Sequence, residues 1–205
     1  MISCLVLEKI YCLSLEIILL NRILDIFISL LVLPVIILVL IVIYLLICRK
    51  LDGPFFYWSK RVGQNNLEFL MPKIRTMKIN TPQLATHLLE KPNQHLLEFG
   101  PFLRKTSLDE VPQFLLLLIG KMTLVGPRPA LYNQNDLIKL RTKNGIHLLK
   151  PGITGWAQIN GRDNITIQEK VNLEIFYIKN RSIFFDLKIL LFTFISIFNS
   201  RNVTH

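Results

Sequence analysis

The longest hydrophobic run of the sequence covers Ile23–Cys48 and contains one charged residue, Asp25. About 20 consecutive apolar residues are enough for a helix to cross the hydrocarbon core of a bilayer. The run therefore predicts a membrane helix, which we assign to residues 21–50. Because proline removes a backbone donor and clashes with the preceding turn, we expect a kink near Pro34.

Basic residues flank this run on both sides, and the heavier group follows it. Arg22 precedes the run, whereas Arg49, Lys50, Lys60 and Arg61 come after it. The positive-inside rule then puts residues 51–205 in the cytoplasm. Two topologies stay open: a simple span, or a bent helix that enters and leaves on the cytoplasmic face. Residues 1–20 are apolar but interrupted by charges, which predicts an interfacial lead-in segment.

Beyond the membrane run, short apolar segments alternate with turn residues, which predicts an α+β fold that is mostly helical. The aromatic run Phe55–Trp58 fits either a membrane-interface belt or a short buried strand. Helices are expected between Pro82 and Pro92, from Ser107 to Ile119, over 132–144, over 166–180 and from Ile183 to Phe198. The last of these is short for a span, so we expect an amphipathic helix that lies in the headgroup plane or packs on the domain.

Charge and composition narrow the class of partner. The chain of 205 residues has 24 Lys+Arg against 14 Asp+Glu, a formal charge of +10, which suits phospholipid headgroups, phosphorylated substrates or nucleic acid. The three cysteines have neither metal-ligand nor disulfide spacing, which fits a reducing compartment. There is no phosphate-binding loop, no dinucleotide fingerprint and no zinc motif in the sequence, and its four histidines lie far apart.

The segment Ser107–Glu110 allows two interpretations. As a capping box, Ser107 caps a helix and Glu110 reaches back to it, with Asp109 as a first-turn acid and no catalysis implied. As a catalytic site, the same helix end attracts phosphate and keeps Asp109 ionised. An ionised carboxylate can attack phosphorus, and the neighbouring Glu110 can help hold Mg²⁺.

Basic residues beside proline or glycine form a second candidate feature. Arg128 stands between two prolines, Arg162 follows Gly161, and Lys73, Arg75 and Arg104 lie in further basic clusters. Arginine binds phosphate with two parallel hydrogen bonds, and a rigid backbone holds it in place. Each cluster alone fits a solvated surface charge, but together they predict a pyrophosphate clamp.

An ordered set of motifs resembles the bacterial sugar transferase family, the small monotopic phosphoglycosyl transferases. The matching segments are Arg22 with Asp25, Gly53–Phe56, Lys60–Gly63, Lys73–Met77, Leu103–Gln113, Gly120–Pro129, Pro151–Arg162 and Phe185–Ile189. The sequence departs from the family pattern at Asn93–Leu97, where an Asp-x-Arg-x-Thr segment is usual, at Lys121 and at Glu174. Pro34 also stands about one turn before the usual helix-breaking proline.

The resemblance implies a mechanism and its partners. Asp109 attacks the β-phosphorus of a UDP-sugar, UMP leaves, and a polyprenyl phosphate such as undecaprenyl phosphate takes the phosphosugar from the enzyme. Mg²⁺ is the implied cofactor, held by Asp109 and Glu110, and the candidate phosphate ligands are Arg61, Lys73, Arg75, Arg104, Arg128 and Arg162. The resemblance favours a re-entrant helix in the inner membrane, a catalytic domain over 51–205, and downstream glycosyltransferases as further partners.

Two other functions fit parts of the sequence. A catalytically degenerate relative could serve as a basic membrane scaffold for glycan-assembly enzymes. Nucleic-acid binding has the required charge, but it lacks a recognisable reading element. We therefore expect an enzyme of surface-polysaccharide or glycoconjugate synthesis that binds no nucleic acid.

Overall fold

The computed structural model describes residues 15–51, 53–82, 92–161 and 165–198. Its first element is the long helix α1, Leu15–Ile47, of 33 residues. Leu19–Lys50 is long and apolar enough to cross a membrane, and only 17% of its most apolar window is buried. The helix continues through Pro34, and the kink expected near this residue stays a prediction. Most of the predicted lead-in segment, residues 1–14, lies outside the described residues.

The polar residues near the start of α1 attach it to the rest of the protein. The buried Asp25 carboxylate accepts hydrogen bonds from Thr123 Oγ1 at 3.1 Å and from the Leu124 backbone N–H at 2.8 Å. The Arg22 guanidinium donates to the carbonyl oxygens of Leu117 and Leu118. The single charge of the apolar run is therefore a docking contact with the domain.

Two small sheets lie beside the helices. In the first sheet, β1 (Phe56–Val62) pairs antiparallel with β2 (Glu68–Ile74) on one side and with β4 (Ala130–Leu131) on the other. In the second sheet, β3 (Thr123–Val125) pairs parallel with β5 (Gly152–Thr154). Phe56–Trp58 of the aromatic run thus belong to β1, but Trp58 is 56% exposed, so this strand is not fully buried.

Helices make up most of the remaining structure. They are α2 (Gly100–Lys105), α3 (Leu115–Leu118), α4 (Asn135–Lys143), α5 (Trp156–Ile159), α6 (Ile167–Asn180) and α7 (Ile183–Phe198). Short 3₁₀ turns cover Cys48–Lys50, Gln64–Asn66, Pro92–His95, Leu108–Phe114 and Ile146–Leu148. The predictions over 132–144, 166–180 and 183–198 are confirmed, as is the mostly helical α+β class. The predicted helix between Pro82 and Pro92 falls outside the described residues.

The main core joins the sheets to α3, α4, α6 and α7. Its most buried members include Leu117, Met122, Ile146, Val171, Ile178 and Ile189. A buried ion pair crosses the same region, because the Arg141 guanidinium binds both carboxylate oxygens of Glu174. Glu174, one of the departures from the family pattern, therefore ties α6 to α4.

Candidate active site

The segment that carries Asp109 and Glu110 folds differently from the capped helix that its sequence suggests. Ser107 has a left-handed backbone (φ 56°) and caps nothing through its side chain. A 3₁₀ helix covers Leu108–Phe114, and one α-helical turn, α3, follows it. The predicted capping box is therefore wrong, whereas the predicted helical segment is present, mostly as a 3₁₀ helix. The Glu110 carboxylate does not reach back to Ser107, because two cations from other elements bind it.

Those two cations are Lys73 and Arg128. Lys73 Nζ donates to Glu110 Oε1 at 2.7 Å, and an Arg128 guanidinium nitrogen donates to the same oxygen at 2.9 Å. Lys73 comes from β2, and Arg128 comes from the loop between β3 and β4. Burial raises the pKa of Glu110, but Arg128 and Lys73 outweigh it and hold this pKa well below its usual range. Glu110 is therefore an ionised carboxylate held between two cations.

Asp109 is the more buried acid, with 7% of its surface exposed. Burial raises its pKa, and the neighbouring Glu110 carboxylate adds to this, while Lys73, Arg104 and Arg128 oppose it. We expected the helix end to keep Asp109 ionised, but burial has the largest effect on its pKa and raises it. The two adjacent acids thus have pKa values that are shifted in opposite directions, a pattern common where one acid is chemically active.

Of the other predicted phosphate ligands, some lie near Asp109, Glu110 or Arg128 and others do not. Arg104 donates from Nε to Thr76 Oγ1 at 3.0 Å and interacts electrostatically with Asp109 and Glu110. Arg61 donates to the Pro129 carbonyl at 3.2 Å, beside Arg128. Arg75 instead donates to the Pro54 carbonyl at 2.8 Å. Arg162 lies outside the described residues.

Close backbone packing fixes the loop that presents Arg128. Gly126 N–H donates to the Thr154 carbonyl at 2.8 Å, and Gly152 N–H donates to the Pro127 carbonyl at 3.0 Å. A Cβ on Gly126 would lie 2.9 Å from Gly152 N, so neither residue can carry a side chain without moving the backbone. Pro127 and Pro129 are buried on either side of Arg128. The sequence predicted a rigid Pro-Arg-Pro frame but not the glycines that pack behind it.

The two acids of the site could supply some of the ligands of a metal ion, but they do not form a complete metal site by themselves. Among the described residues, no group of three or more His, Cys, Asp or Glu side chains could hold a metal ion. Mg²⁺ is usually bound through one or two carboxylates together with water and substrate phosphates. Asp109 and Glu110 are two adjacent carboxylates of the kind that such a site uses.

Two residues outside the predicted set also position this site. Thr76 holds Arg104, and Asp25 binds the first residues of β3, which lead to the Arg128 loop. For Asp25 the sequence offered a signal, since it is the only charge in the apolar run, but its partners are 98 and 99 residues away. For Thr76 we find no signal in the sequence beyond its place between Arg75 and Met77.

Comparison with known proteins gives the family. The family model described as "Bacterial sugar transferase" matches residues 17–200 of the chain. The chain belongs to this family. It is 41% identical to the uncharacterized sugar transferase EpsL of Bacillus subtilis over 146 residues, and this alignment covers 70% of each protein. It is 35% identical over 182 residues to a UDP-glucose:undecaprenyl-phosphate glucose-1-phosphate transferase of Escherichia coli. The family predicted from the motifs is confirmed, and the relatives' names agree with the predicted phosphoglycosyl transferase class.

The match covers different fractions of these relatives. It extends over 85% of this chain but only 39% of the Escherichia coli protein. A third relative is the UDP-N-acetylgalactosamine-undecaprenyl-phosphate N-acetylgalactosaminephosphotransferase of Aeromonas hydrophila, which is 32% identical over 149 residues. That match covers 70% of this chain and 35% of the relative. The named relatives act on different sugars, so the family alone does not identify the sugar.

Proposed function

We propose that this protein transfers a sugar 1-phosphate from a UDP-sugar to a polyprenyl phosphate, such as undecaprenyl phosphate, and releases UMP. The observation that carries the proposal is the pair of adjacent acids, in which Glu110 is held by Lys73 and Arg128 while Asp109 is buried beside it. The cations suit a diphosphate, and Asp109 supplies a nucleophile. The relatives named for this reaction support the same substrate classes.

The first step uses Asp109 as the nucleophile. Its carboxylate oxygen attacks the β-phosphorus, a P–O bond forms, and the bond from that phosphorus to the bridging oxygen breaks, so UMP leaves with the electron pair. Arg104 and Arg128 would bind the phosphate oxygens. Mg²⁺, held by Asp109 and Glu110, would neutralise phosphate charge during the transfer.

The second step regenerates the enzyme. A phosphate oxygen of the lipid attacks the phosphorus of the phosphosugar, and the bond to Asp109 breaks. The products are a polyprenyl diphosphate sugar and a free carboxylate. This sequence needs a lipid phosphate near Asp109, and helix α1, which is docked on the domain through Arg22 and Asp25, provides a membrane anchor close to the site.

The test is UMP release by protein in nanodiscs, with Mg²⁺, undecaprenyl phosphate and a panel of UDP-sugars. Asp109→Asn should abolish turnover because an amide is a poor nucleophile, whereas Asp136→Asn, a change at an exposed acid of α4, should not. Without lipid acceptor, mass spectrometry should find the phosphosugar on the tryptic peptide Thr106–Lys121. Turnover by Asp109→Asn would refute the covalent mechanism. No UMP release from any donor would favour the alternative function, a basic membrane scaffold for glycan-assembly enzymes.

We further propose that the catalytic domain faces the cytoplasm and that α1 is its inner-membrane anchor, entering and leaving on that face. An epitope at residue 1 should then be labelled only from the cytoplasmic side of oriented vesicles. Labelling from the opposite side would establish a full span. The exposed apolar side chains of α7, including Phe184 and Leu191, support a domain that rests on the membrane surface.

A further inference from the structure

An open cavity with an empty volume of about 340 Å³ lies beside the Arg128 loop, on a side of it that the mechanism does not use. Its walls come from the end of β1, the Pro127–Ala130 segment, α4 and the 3₁₀ turn Ile146–Leu148. Part of this volume is open to solvent, so a ligand here would lie in a surface groove rather than in a closed pocket. Arg128 belongs both to this cavity and, through Glu110, to the site of phosphoryl transfer.

We propose that this cavity binds the nucleoside of the nucleotide-sugar donor and that His147 contacts the edge of its base. The inference rests on the proposed function and extends it to a part of the substrate for which no residue has been assigned. A donor whose diphosphate is bound by Arg128 has its nucleoside and its sugar on opposite sides of that diphosphate. The cavity takes the nucleoside, which leaves the sugar on the side of Asp109.

The distribution of polar groups in the cavity agrees with this orientation. None of the described residues that line it is acidic, and its walls include Val62, Ile138 and Ile146, whose apolar side chains suit a flat ring. Arg141 also lines the cavity, but the Glu174 carboxylate binds its guanidinium. Arg128 is also paired, with Glu110, but 35% of its side chain is exposed against 9% for Arg141, so an anion can reach Arg128 more easily. The deeper part of the cavity is suited to an uncharged base.

His147 supplies a polar atom that has nothing else to bind. Its Nδ1 is buried and has no hydrogen-bond partner among the described residues. A buried polar atom without a partner is costly unless a ligand or water satisfies it, and few such atoms occur in folded proteins. The edge of a uracil ring offers both N–H and C=O groups, so either tautomer of His147 could pair with it.

A second cavity, on the other side of Arg128, is a weaker candidate. It is smaller, with an empty volume of about 190 Å³, and the Glu174 carboxylate is part of its lining. Arg141 binds that carboxylate, so the smaller volume is what distinguishes this cavity from the first. We therefore assign the nucleoside to the larger cavity.

Binding measurements on full-length protein in nanodiscs test this assignment with two probes, UMP and inorganic pyrophosphate. His147→Ala should weaken UMP binding by roughly fivefold to tenfold, the loss expected for one hydrogen bond, and leave pyrophosphate binding unchanged. His147→Asn should restore UMP binding, because its amide atoms lie at the position of Nδ1. His147→Gln, whose amide atoms lie near the position of Nε2, should not restore it. His95→Ala, outside the cavity, is the matched control.

Photocrosslinking locates the base without any substitution. Irradiation of the wild-type protein with 4-thiouridine 5′-monophosphate should label the tryptic peptide Asn144–Arg162, which continues past Lys150 because trypsin does not cleave before Pro151. Fragment ions should place the label on residues 144–150, and excess UMP should prevent it. Labelling only at peptides that do not line the cavity would overturn the assignment. So would UMP binding by His147→Ala that equals wild type; if the wild type still releases UMP from UDP-sugars, the proposed function stands. Wild-type protein that neither binds UMP nor releases it would overturn both.

Discussion

Lys73 Nζ donates a 2.7 Å hydrogen bond to Glu110 Oε1, the oxygen that also accepts from Arg128. The pKa values of the two adjacent acids are shifted in opposite directions. Glu110, between two cations, has a strongly lowered pKa, whereas burial raises the pKa of Asp109. Proteins that use paired acids often shift their pKa values apart in this way, because each acid then has a distinct role. Lys73 influences both acids, since it also lowers the pKa of Asp109.

Replacing Lys73 by methionine should change the pH dependence of UMP release. Asp109 must be ionised to attack phosphorus, so activity falls as the pH drops through its pKa. Because Lys73 lowers that pKa, its removal raises it, and the acidic limb of the pH–rate profile should move to higher pH. Turnover at neutral pH should also fall by about 10²–10³-fold, as for the loss of one positioned charge. Lys60→Met, which removes an exposed lysine, should leave the acidic limb in place.

The same electrostatics predict that Asp109→Asn stabilises the protein while it inactivates it. The folded pKa of Asp109 is raised, so at neutral pH the ionised side chain is less favourable in the folded protein than in the unfolded chain. A neutral amide avoids that cost, and we expect Tm to rise by about 2–4 °C, which corresponds to roughly 1 kcal/mol. The difference should vanish as the pH falls below about 3.9, where an unfolded aspartate is protonated as well.

Thermal unfolding in detergent at several pH values measures this effect. Asp136→Asn, at an exposed position of α4, provides the control and should leave Tm unchanged. An unchanged or lowered Tm of Asp109→Asn at neutral pH would contradict the idea that the site keeps a destabilised carboxylate for its chemistry. The prediction is independent of which sugar the protein transfers.

Two four-residue segments illustrate how far the sequence alone predicts the site. Ser107–Glu110 and Thr166–Glu169 both have the pattern of a capping box, but only the second forms one, with Thr166 and Glu169 binding each other at the start of α6. In the first segment, Lys73 and Arg128 donate hydrogen bonds to Glu110, so it does not bind Ser107. The pattern pointed to the two acids as candidates, but a local rule could not predict their partners, since Lys73 lies 37 residues away and is placed by the pairing of β2 with β1.

The long hydrophobic run was similarly informative about its helix and uninformative about its contacts. Its length predicted α1, and the later helical segments were predicted within a few residues. The helix includes Pro34, and the kink expected there stays a prediction. The docking of Asp25 on β3 depends on the whole domain between them, so no short-range pattern contains it.

Asp25→Ala should detach the start of α1 from the domain. It leaves the buried Leu124 N–H and Thr123 hydroxyl without their acceptor, at a cost of about 1–3 kcal/mol for an unsatisfied buried group. Asp25→Asn keeps an oxygen acceptor of the same size and should recover most of the stability. Thermal unfolding in nanodiscs and proteolysis between α1 and the domain are the measurements. Equal stability of Asp25→Ala and wild type would show that the contact does not hold the helix.

Gly152→Ala should disrupt the support of the Arg128 loop. The added Cβ would lie 2.7 Å from Gly126 Cα, and both sides of this contact are backbone, so no side chain can move away to relieve it. We expect a loss of stability of about 1–3 kcal/mol, as for overpacking in a core, and a larger loss of UMP release because Arg128 moves with the loop. Gly161→Ala is the comparison variant: its Cβ would also clash, but with Cγ2 of the Ile165 side chain and not with the backbone behind Arg128.

The two glycine variants separate packing from a general effect of alanine. Tm and the pyrophosphate affinity should fall together in Gly152→Ala, because the guanidinium that binds phosphate is held by the backbone that the new methyl group displaces. In Gly161→Ala the pyrophosphate affinity should stay close to wild type even where Tm falls, because the new methyl group meets Ile165 and not the Arg128 loop. If Gly152→Ala lowered Tm but left pyrophosphate affinity intact, the glycine contact would stabilise the fold without positioning Arg128, and the phosphate clamp would depend on Lys73 and Arg104 instead.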